Sequence, residues 1–430
     1  MARMMDLHAD RGLPPTWLPR LSQAGRSGQA EGRRPQAGAA EACRPPRILQ
    51  VVECAATGVG RHVLDLTEGL LQRGCEIHVA YSSGRCDRVF AERLARLTEV
   101  GQTVMTMRSR PHPTDAKAVL ALRRVMRLHG PFDIVHCHSS KAGLLARLAA
   151  NGLGARVVYT PHAIYTMSPN LTPRMRQLYR TAEVSLSWLT DKIIAVSRAE
   201  LEECRRLGIR DTRLALVPNT VGEPNCLPRA VARQQIGLGE EEVAIGFVGR
   251  LSEQKGIDRL LDGFAQVPAT APARLVIIGD GELAAQARRQ AETLGIAARV
   301  LWLGARPAEP LLRAFDVFAM PSRYEAASYS LLEAMAAGLP VITTATGSAS
   351  DLITDGHNGY CVPVEDVGRF ATCLSALVTD GALRGAMAEA ARQPRRETAG
   401  VQQMVEDVLS VYAAATPSRP TWRAAAIDAA

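Results

Sequence analysis

Four charged side chains in the second half of the chain carry the most chemistry. Glu325 and Glu333 lie eight positions apart in the segment Pro321 to Pro340. Arg250 and Lys255 lie five positions apart in Gly249-Arg250-Leu251-Ser252-Glu253-Gln254-Lys255-Gly256. An arginine fork and a mobile lysine charge before a helix suit the oxygens of a pyrophosphate, and a helix start at Gly256 adds backbone donors. Two carboxylates suit hydroxyl-rich ligands. A helix rises about 1.5 Å per residue, so eight residues span roughly 12 Å. That exceeds the roughly 5–9.5 Å that separates the two acids of a glycosidase. The spacing fits one carboxylate at a sugar and the other at a distant part of the same ligand.

These groups need a scaffold, and the pattern predicts one. The apolar run Val317 to Met320 reads as a strand that enters the Glu325 loop, and a helix stopped by Gly338 and Pro340 carries Glu333. Open parallel sheets bind ligands at such loops. From Arg47 on, short apolar runs alternate with helical patterns. Strands are predicted at Ile48 to Glu53, Glu76 to Tyr81, Asp133 to His138, Val157 to Tyr159, Ile193 to Val196 and Leu214 to Val217. The alternation restarts with Val243 to Val248, Arg274 to Ile278, Val300 to Leu303, Val317 to Met320 and Val341 to Thr343. This order implies an α/β protein of two doubly wound, Rossmann-like domains, residues 47–220 and 243–400, facing across a cleft. Residues 221–242 read as a linker, 401–415 as a last helix and 416–430 as a loose tail. Residues 1–46 read as a disordered extension or a mis-called start.

Composition narrows the classes. The chain has 430 residues, 47% hydrophobic, with a formal charge of +8. Eight arginines against four acids in the first 47 residues account for about half of that excess. Aromatics are 4% and no nucleic-acid-binding signature accompanies the charge, so no nucleic-acid partner is expected. No apolar run is long enough to span a bilayer, and no secretory signal is expected from the composition of the first 47 residues. Nine scattered cysteines without a Cys-x-x-Cys pair read as free thiols of a reducing cytoplasm.

The first half offers weaker signals. Gly58-Val59-Gly60 reads as a turn after the first strand, either a plain tight turn or a loop that lets backbone approach a phosphate or sugar. As a dinucleotide fingerprint it fails, because Val63 stands at the third glycine position. His162 follows a strand, where a neutral imidazole can bond a sugar hydroxyl or simply serve the core. His136 and His138 share one strand face, with no further ligand near in sequence. Together with the lack of an Asp-x-Asp pair, this gives the expectation of no metal site. Gly279-Asp280-Gly281-Glu282 reads first as an ordinary turn.

Taken together, these segments resemble the retaining GT-B glycosyltransferases of the family called glycosyl transferases group 1, or family 4, over roughly Arg47 to Val411. The carriers are Gly58-Val59-Gly60, Val135 to Gly143, Thr160-Pro161-His162, Ala195-Val196-Ser197, Val217-Pro218-Asn219, Gly249-Arg250 with Lys255-Gly256, Gly279-Asp280-Gly281 and, most specific, Glu325 with Glu333. The resemblance implies that Arg250 and Lys255 grip the donor diphosphate, Glu333 binds ribose hydroxyls, and Glu325 contacts the donor sugar. It places Gly58 and Gly60 near the donor phosphates and His162 near the donor sugar and acceptor. It gives the acceptor to the first domain, and it has the last helix cross back to that domain. Where the family has Gly-Phe after the first glutamate, this chain has Ala326-Ala327. Amides of Ala327, Ser328 and Tyr329 remain available to the donor.

The expected reaction is transfer of a sugar from a UDP- or GDP-sugar to a hydroxyl acceptor, without a cofactor or metal and with retained configuration. Charge grows on the leaving diphosphate and falls to Arg250 and Lys255. A saccharide or lipid-linked saccharide is the expected acceptor. Arg174, Arg176, Arg180 and Lys192 flank a helix with Leu178, Leu186, Trp188 and Leu189, which reads either as core-facing or as a surface for the inner membrane face. A non-catalytic glycan-binding scaffold and an NAD-dependent oxidoreductase are the competing classes.

Overall fold

A computed structural model describes residues 44–108, 110–392 and 400–416. Of the extension read at residues 1–46, residues 1–43 fall outside the described residues, as does the tail beyond Thr416.

Among the described residues, thirteen strands form two parallel sheets. The first contains β1 (Arg47–Val52), β2 (Glu76–Ser82), β3 (Gly101–Met105), β4 (Ile134–His138), β5 (Arg156–Thr160), β6 (Lys192–Ala195) and β7 (Leu214–Leu216), in the order β3-β2-β1-β4-β5-β6-β7. The second contains β8 (Val243–Val248), β9 (Ala273–Ile278), β10 (Val300–Gly304), β11 (Val317–Met320), β12 (Val341–Thr344) and β13 (Gly359–Val362), in the order β10-β9-β8-β11-β12-β13. Strand order reverses between β1 and β4 and again between β8 and β11. Ligands of open α/β sheets gather just beyond the carboxyl ends of strands at such reversals. In this chain those ends carry Gly58 and His138 in the first sheet, and Arg250 and Glu325 in the second.

The central strands are buried on both faces, as sheets covered by crossover helices require, whereas the edge strands β3, β7 and β10 are only partly buried. Ile48, Leu49, Val51 and Val52 are all fully inaccessible, as are Ile245 and Phe247 of β8. The last helix, Val401–Ala415, leaves the second domain behind and buries Met404, Val405, Val408, Leu409 and Tyr412 against Leu66 and Leu70 of the first helix, Thr57–Gln72. Gly69 makes this contact close, because a Cβ there would collide with the Val405 side chain.

The structure departs from the sequence reading in three places. Gly58-Val59-Gly60 lies within the first turn of Thr57–Gln72 rather than in a turn ahead of it. The expected linker, 221–242, contains the helix Arg229–Ile236. Ala232, Ile236 and Leu238 join the second domain's core, and the buried Arg233 bonds Asp316 Oδ2 at 3.2 Å. A stretch rich in Pro, Gly and charge hid a short amphipathic helix whose apolar face becomes meaningful only against that core. Finally, β3 and β13 were not foreseen; each is short, and β3 alternates exposed and half-buried residues.

Candidate active site

The loop after β8 and the loop after β11 are tied to each other. Arg323 N–H donates to the Gln254 carbonyl at 2.7 Å, and Gln254 Nε2 donates to the Tyr324 carbonyl at 3.1 Å. Gly256 makes the approach possible. It has φ +66°, and any Cβ there would strike the Pro321 carbonyl oxygen. This bracing puts Lys255 Nζ 2.6 Å from Glu325 Oε1, where Ser322 Oγ also donates at 2.9 Å. Glu325 is 7% exposed. One cation and one carboxylate of the predicted four are therefore direct partners.

Arg250 takes another direction. It pairs with Glu282 at 3.0 Å, and both side chains are mostly exposed. The Gly279-Asp280-Gly281 turn holds this loop, with Leu251 N–H donating to the Asp280 carbonyl at 3.0 Å. The structure joins the two cations through one loop and does not bring them together on one partner.

Glu333 lies within the helix Tyr329–Ala336. It forms an ion pair with Arg61 of the first domain, one residue past Gly60. Burial raises the Glu333 carboxyl above its ordinary range, with Arg61 opposing that shift. Among the described residues no group accepts from the amides of Ala327, Ser328 or Tyr329, so the start of this helix has donors without a protein partner.

The first domain meets that helix directly. A Cβ on Gly58 would sit 3.1 Å from Tyr329 Cδ2, whereas Gly60 faces Ala55 and Phe90 of its own domain. His62 Nδ1 lies 3.2 Å from the Tyr329 hydroxyl. Elsewhere across the cleft, Arg198 N–H donates to Asp351 Oδ2 at 3.2 Å.

His162 occupies the turn after β5. Its φ is +54° and that of Ala163 is +82°, a left-handed pair without glycine. Buried Glu200 sustains it. Glu200 Oε1 accepts from Ala163 N–H at 2.8 Å and Ile164 N–H at 3.1 Å, and Oε2 accepts from Val196 N–H at 2.9 Å. Burial raises the Glu200 carboxyl and these amides lower it.

His162, half-buried, ends a row of imidazoles whose other members, His62, His136 and His138, are buried. His136 Nδ1 lies 2.7 Å from the Tyr412 hydroxyl and its Nε2 lies 2.8 Å from Thr160 Oγ1. The His136 and His138 rings are 4.1 Å apart, and His138 Nδ1 is 3.2 Å from His162 Nε2. Burial lowers His62 to about 4 and holds His136, His138 and His162 well below the ordinary histidine value. Ring nitrogens of His62, His138 and His162 fall within 4.8 Å of one another. Three imidazoles so grouped are a donor set that could hold a metal ion, and the sequence reading, which paired only His136 with His138, did not foresee them together.

The sequence reading missed Arg61, His62, Glu200 and Tyr412. Arg61 and His62 follow a flagged glycine pair, and their positions just past the helix's first turn were the available signal. Glu200 and Tyr412 act through long-range contacts that no local pattern announces.

Two doubly wound domains, with chemistry-bearing loops at both strand-order reversals, define the GT-B architecture. The crystal structure of Anabaena HepE in complex with UDP and glucose shares it, with a TM-score of 0.71 and 22% identity over 85% of this chain and 98% of that one. A family model described as glycosyl transferases group 1 matches residues 228–394, and one described as glycosyltransferase family 4 matches residues 56–222. A D-inositol 3-phosphate glycosyltransferase of Corynebacterium urealyticum is 32% identical over 289 residues, covering 62% of this chain and 68% of the relative. A UDP-Gal:alpha-D-GlcNAc-diphosphoundecaprenol alpha-1,3-galactosyltransferase of Escherichia coli is 26% identical over 309 residues, covering 69% and 79%. The chain belongs to the glycosyl transferases group 1 family and is a glycosyltransferase. The oxidoreductase reading is thereby set aside.

Proposed function

We propose that this enzyme transfers a sugar from a nucleotide diphosphate donor, a UDP- or GDP-sugar, to a hydroxyl of a saccharide or lipid-linked saccharide, with retained anomeric configuration, in cell-surface polysaccharide or glycolipid assembly. The observation that carries this reading is the Lys255–Glu325 contact of 2.6 Å beside the open amides of Ala327 to Tyr329. A cation, a carboxylate and a helix start converge there at one strand-order reversal. The diphosphate would lie on Lys255 and those amides, with Arg250 turning in from Glu282. Glu325 would hold the sugar, Glu333 the ribose, and His162 the sugar from the opposite domain. Gly58 keeps the first domain's helix start close to Tyr329, and Gly60 keeps that helix close to its own sheet.

Charge grows on the diphosphate as the glycosidic bond breaks, so groups already in place stabilise the transition state more than the ground state. The acceptor hydroxyl would attack from the leaving-group face and pass its proton to a diphosphate oxygen. No step in this route calls for a metal or cofactor. Domain contact around Tyr329 would exclude water and limit donor hydrolysis.

The relatives act on quite different acceptors, an inositol phosphate and a diphosphoundecaprenol-linked sugar by their names. A surface next to the His162 turn favours the lipid-linked class. Met175 and Leu178 of the helix Pro173–Ser187 are exposed, as is Tyr165. Arg174 and Arg180 of the same helix are exposed beside them, whereas Trp188, with Arg210 and Arg213 over its ring at 5.2 and 5.8 Å, stands at the helix's other end. Apolar groups ringed by arginine suit peripheral contact with an anionic membrane, here the cytoplasmic leaflet. Among the described residues no helix is long and apolar enough to cross a membrane.

A screen of UDP- and GDP-sugars by thermal shift, followed by donor hydrolysis without acceptor, tests the proposal. A selective donor raises the melting temperature and is slowly hydrolysed. Binding without any turnover, with or without a lipid-linked acceptor, would instead mark a glycan-binding scaffold.

A further inference from the structure

His138 ends β4 and pairs in register with Val52 on one side and Thr160 on the other. It thus stands at the first sheet's strand-order reversal, two residues in register from the His162 turn. Its Nδ1 lies 3.2 Å from His162 Nε2, while its own Nε2 is buried and has no protein partner. A neutral imidazole carries one N–H. A buried N–H left unpaired is costly, so the proton belongs on the nitrogen that has an acceptor. For His138 that nitrogen is Nδ1. His162 Nε2 must then be the bare acceptor, which puts the His162 proton on Nδ1. Among the described residues no hydrogen bond ends on His162 Nδ1.

We propose that His138 is a positioning residue that donates Nδ1–H to His162 Nε2 and so fixes His162 as the tautomer presenting Nδ1–H to the reacting sugar. Burial among three other imidazoles keeps His138 neutral, with its proton count fixed at one. The Tyr412–His136–Thr160 bonds hold the neighbouring ring still on its other side. The catalytic consequence rests on the proposed role of His162, whereas the tautomer itself does not.

Long-range proton–nitrogen correlation spectra of the [15N]histidine-labelled full chain read the tautomer directly, with His162 signals assigned by their loss in His162→Asn. The expected wild-type result is a single species protonated on Nδ1. His138→Asn places a carboxamide N–H near the former Nδ1 and preserves that species. His138→Phe removes the donor and gives mixed tautomers. In turnover of UDP-glucose, UDP-galactose or GDP-mannose, whichever the wild type uses, His138→Phe lowers kcat by about 10- to 100-fold, UDP affinity stays within about twofold, and His138→Asn restores most of the rate. Protonation of His162 on Nε2 in the wild type, or an unchanged tautomer in His138→Phe, would overturn the inference. If the tautomers behave as stated while His162→Asn retains full turnover, the fault lies in the role given to His162 and not in His138. If His138→Phe does not fold, the wild-type and His138→Asn spectra still decide.

Discussion

Arg61 and Glu333 are 272 positions apart in sequence and form an ion pair that joins the first helix of one domain to the helix Tyr329–Ala336 of the other. Glu333 is the carboxylate that the family resemblance assigns to the donor's ribose. The pair is partly buried, with side chains 27% and 13% exposed, so its worth is about 1 kcal/mol rather than several. A ribose that takes Glu333 must first release Arg61, and the apparent affinity for nucleotide is reduced by the fraction of molecules in which the pair is closed.

Arg61→Ala is therefore expected to tighten UDP binding by about fivefold, the equivalent of about 1 kcal/mol. Isothermal titration of UDP into wild type and variant measures this. Weaker binding in the variant would mean that Arg61 touches the nucleotide itself.

Lys255→Ala is expected to lower kcat/KM by about 10²–10³, the usual cost of removing one preorganised charge contact. The same change strips Glu325 of the one cation paired with it among the described residues, so a fall in melting temperature accompanies it. Glu325→Gln with Lys255 intact separates the two effects: it leaves Lys255 free for the diphosphate. Arg250→Ala should leave stability within about 0.5 kcal/mol, because its partner Glu282 is exposed, while still slowing turnover. Equal kcat/KM in wild type and Lys255→Ala would remove the diphosphate role.

Much of this was legible before the structure. The strand at Val317 to Met320, its loop and the helix that follows were set by an apolar run, then polar residues, then a helix stopped by Gly338 and Pro340. That punctuation placed Glu325 in a loop and Glu333 in a helix. The pairings were not legible. Sequence spacing grouped Arg250 with Lys255, but the Gln254–Tyr324 and Gln254–Arg323 bonds swing Lys255 to Glu325 and leave Arg250 with Glu282. Likewise, the helix Arg229–Ile236 was hidden because its apolar face is short and is defined by Leu311 and Phe315, some eighty residues on. Local pattern fixes which residues stand at strand ends, and only tertiary contacts choose their partners.

The last helix makes a sharper test of packing. Gly69→Ala gains helix propensity of about 1 kcal/mol, yet its methyl would collide with Val405, a β-branched side chain that cannot swing aside. The expected net effect is a loss of about 1–3 kcal/mol. Val405→Ala opens a small cavity and also destabilises. In the double variant the new methyl fills part of that space, so the two losses sum to less than their separate values. A double-mutant cycle by urea denaturation gives the coupling directly. Simple additivity would mean that the last helix is not seated on Gly69.

The imidazole row predicts how the fold responds to acid. His62 has its pKa lowered from 6.5 to about 4, with burial as the main cause. The unfolded chain therefore takes up a proton at His62 between those values while the native chain does not. Stability from this residue is fully present above pH 6.5 and is lost as the pH falls toward 4. The whole span is worth about 3 kcal/mol for one such group, and about 2 kcal/mol is lost by pH 5. His136, His138 and His162 are shifted in the same direction by burial and add to the slope. His78, also lowered to about 4, contributes from outside the site. Urea midpoints measured from pH 7.5 down to 5 should fall steeply in the wild type. In His62→Asn, which keeps a polar group near Tyr329 but takes up no proton, the slope should be shallower by one group's share. An identical slope in the two proteins would show that His62 titrates in the native state as it does in water, and that the cleft around Tyr329 opens readily enough to hydrate it.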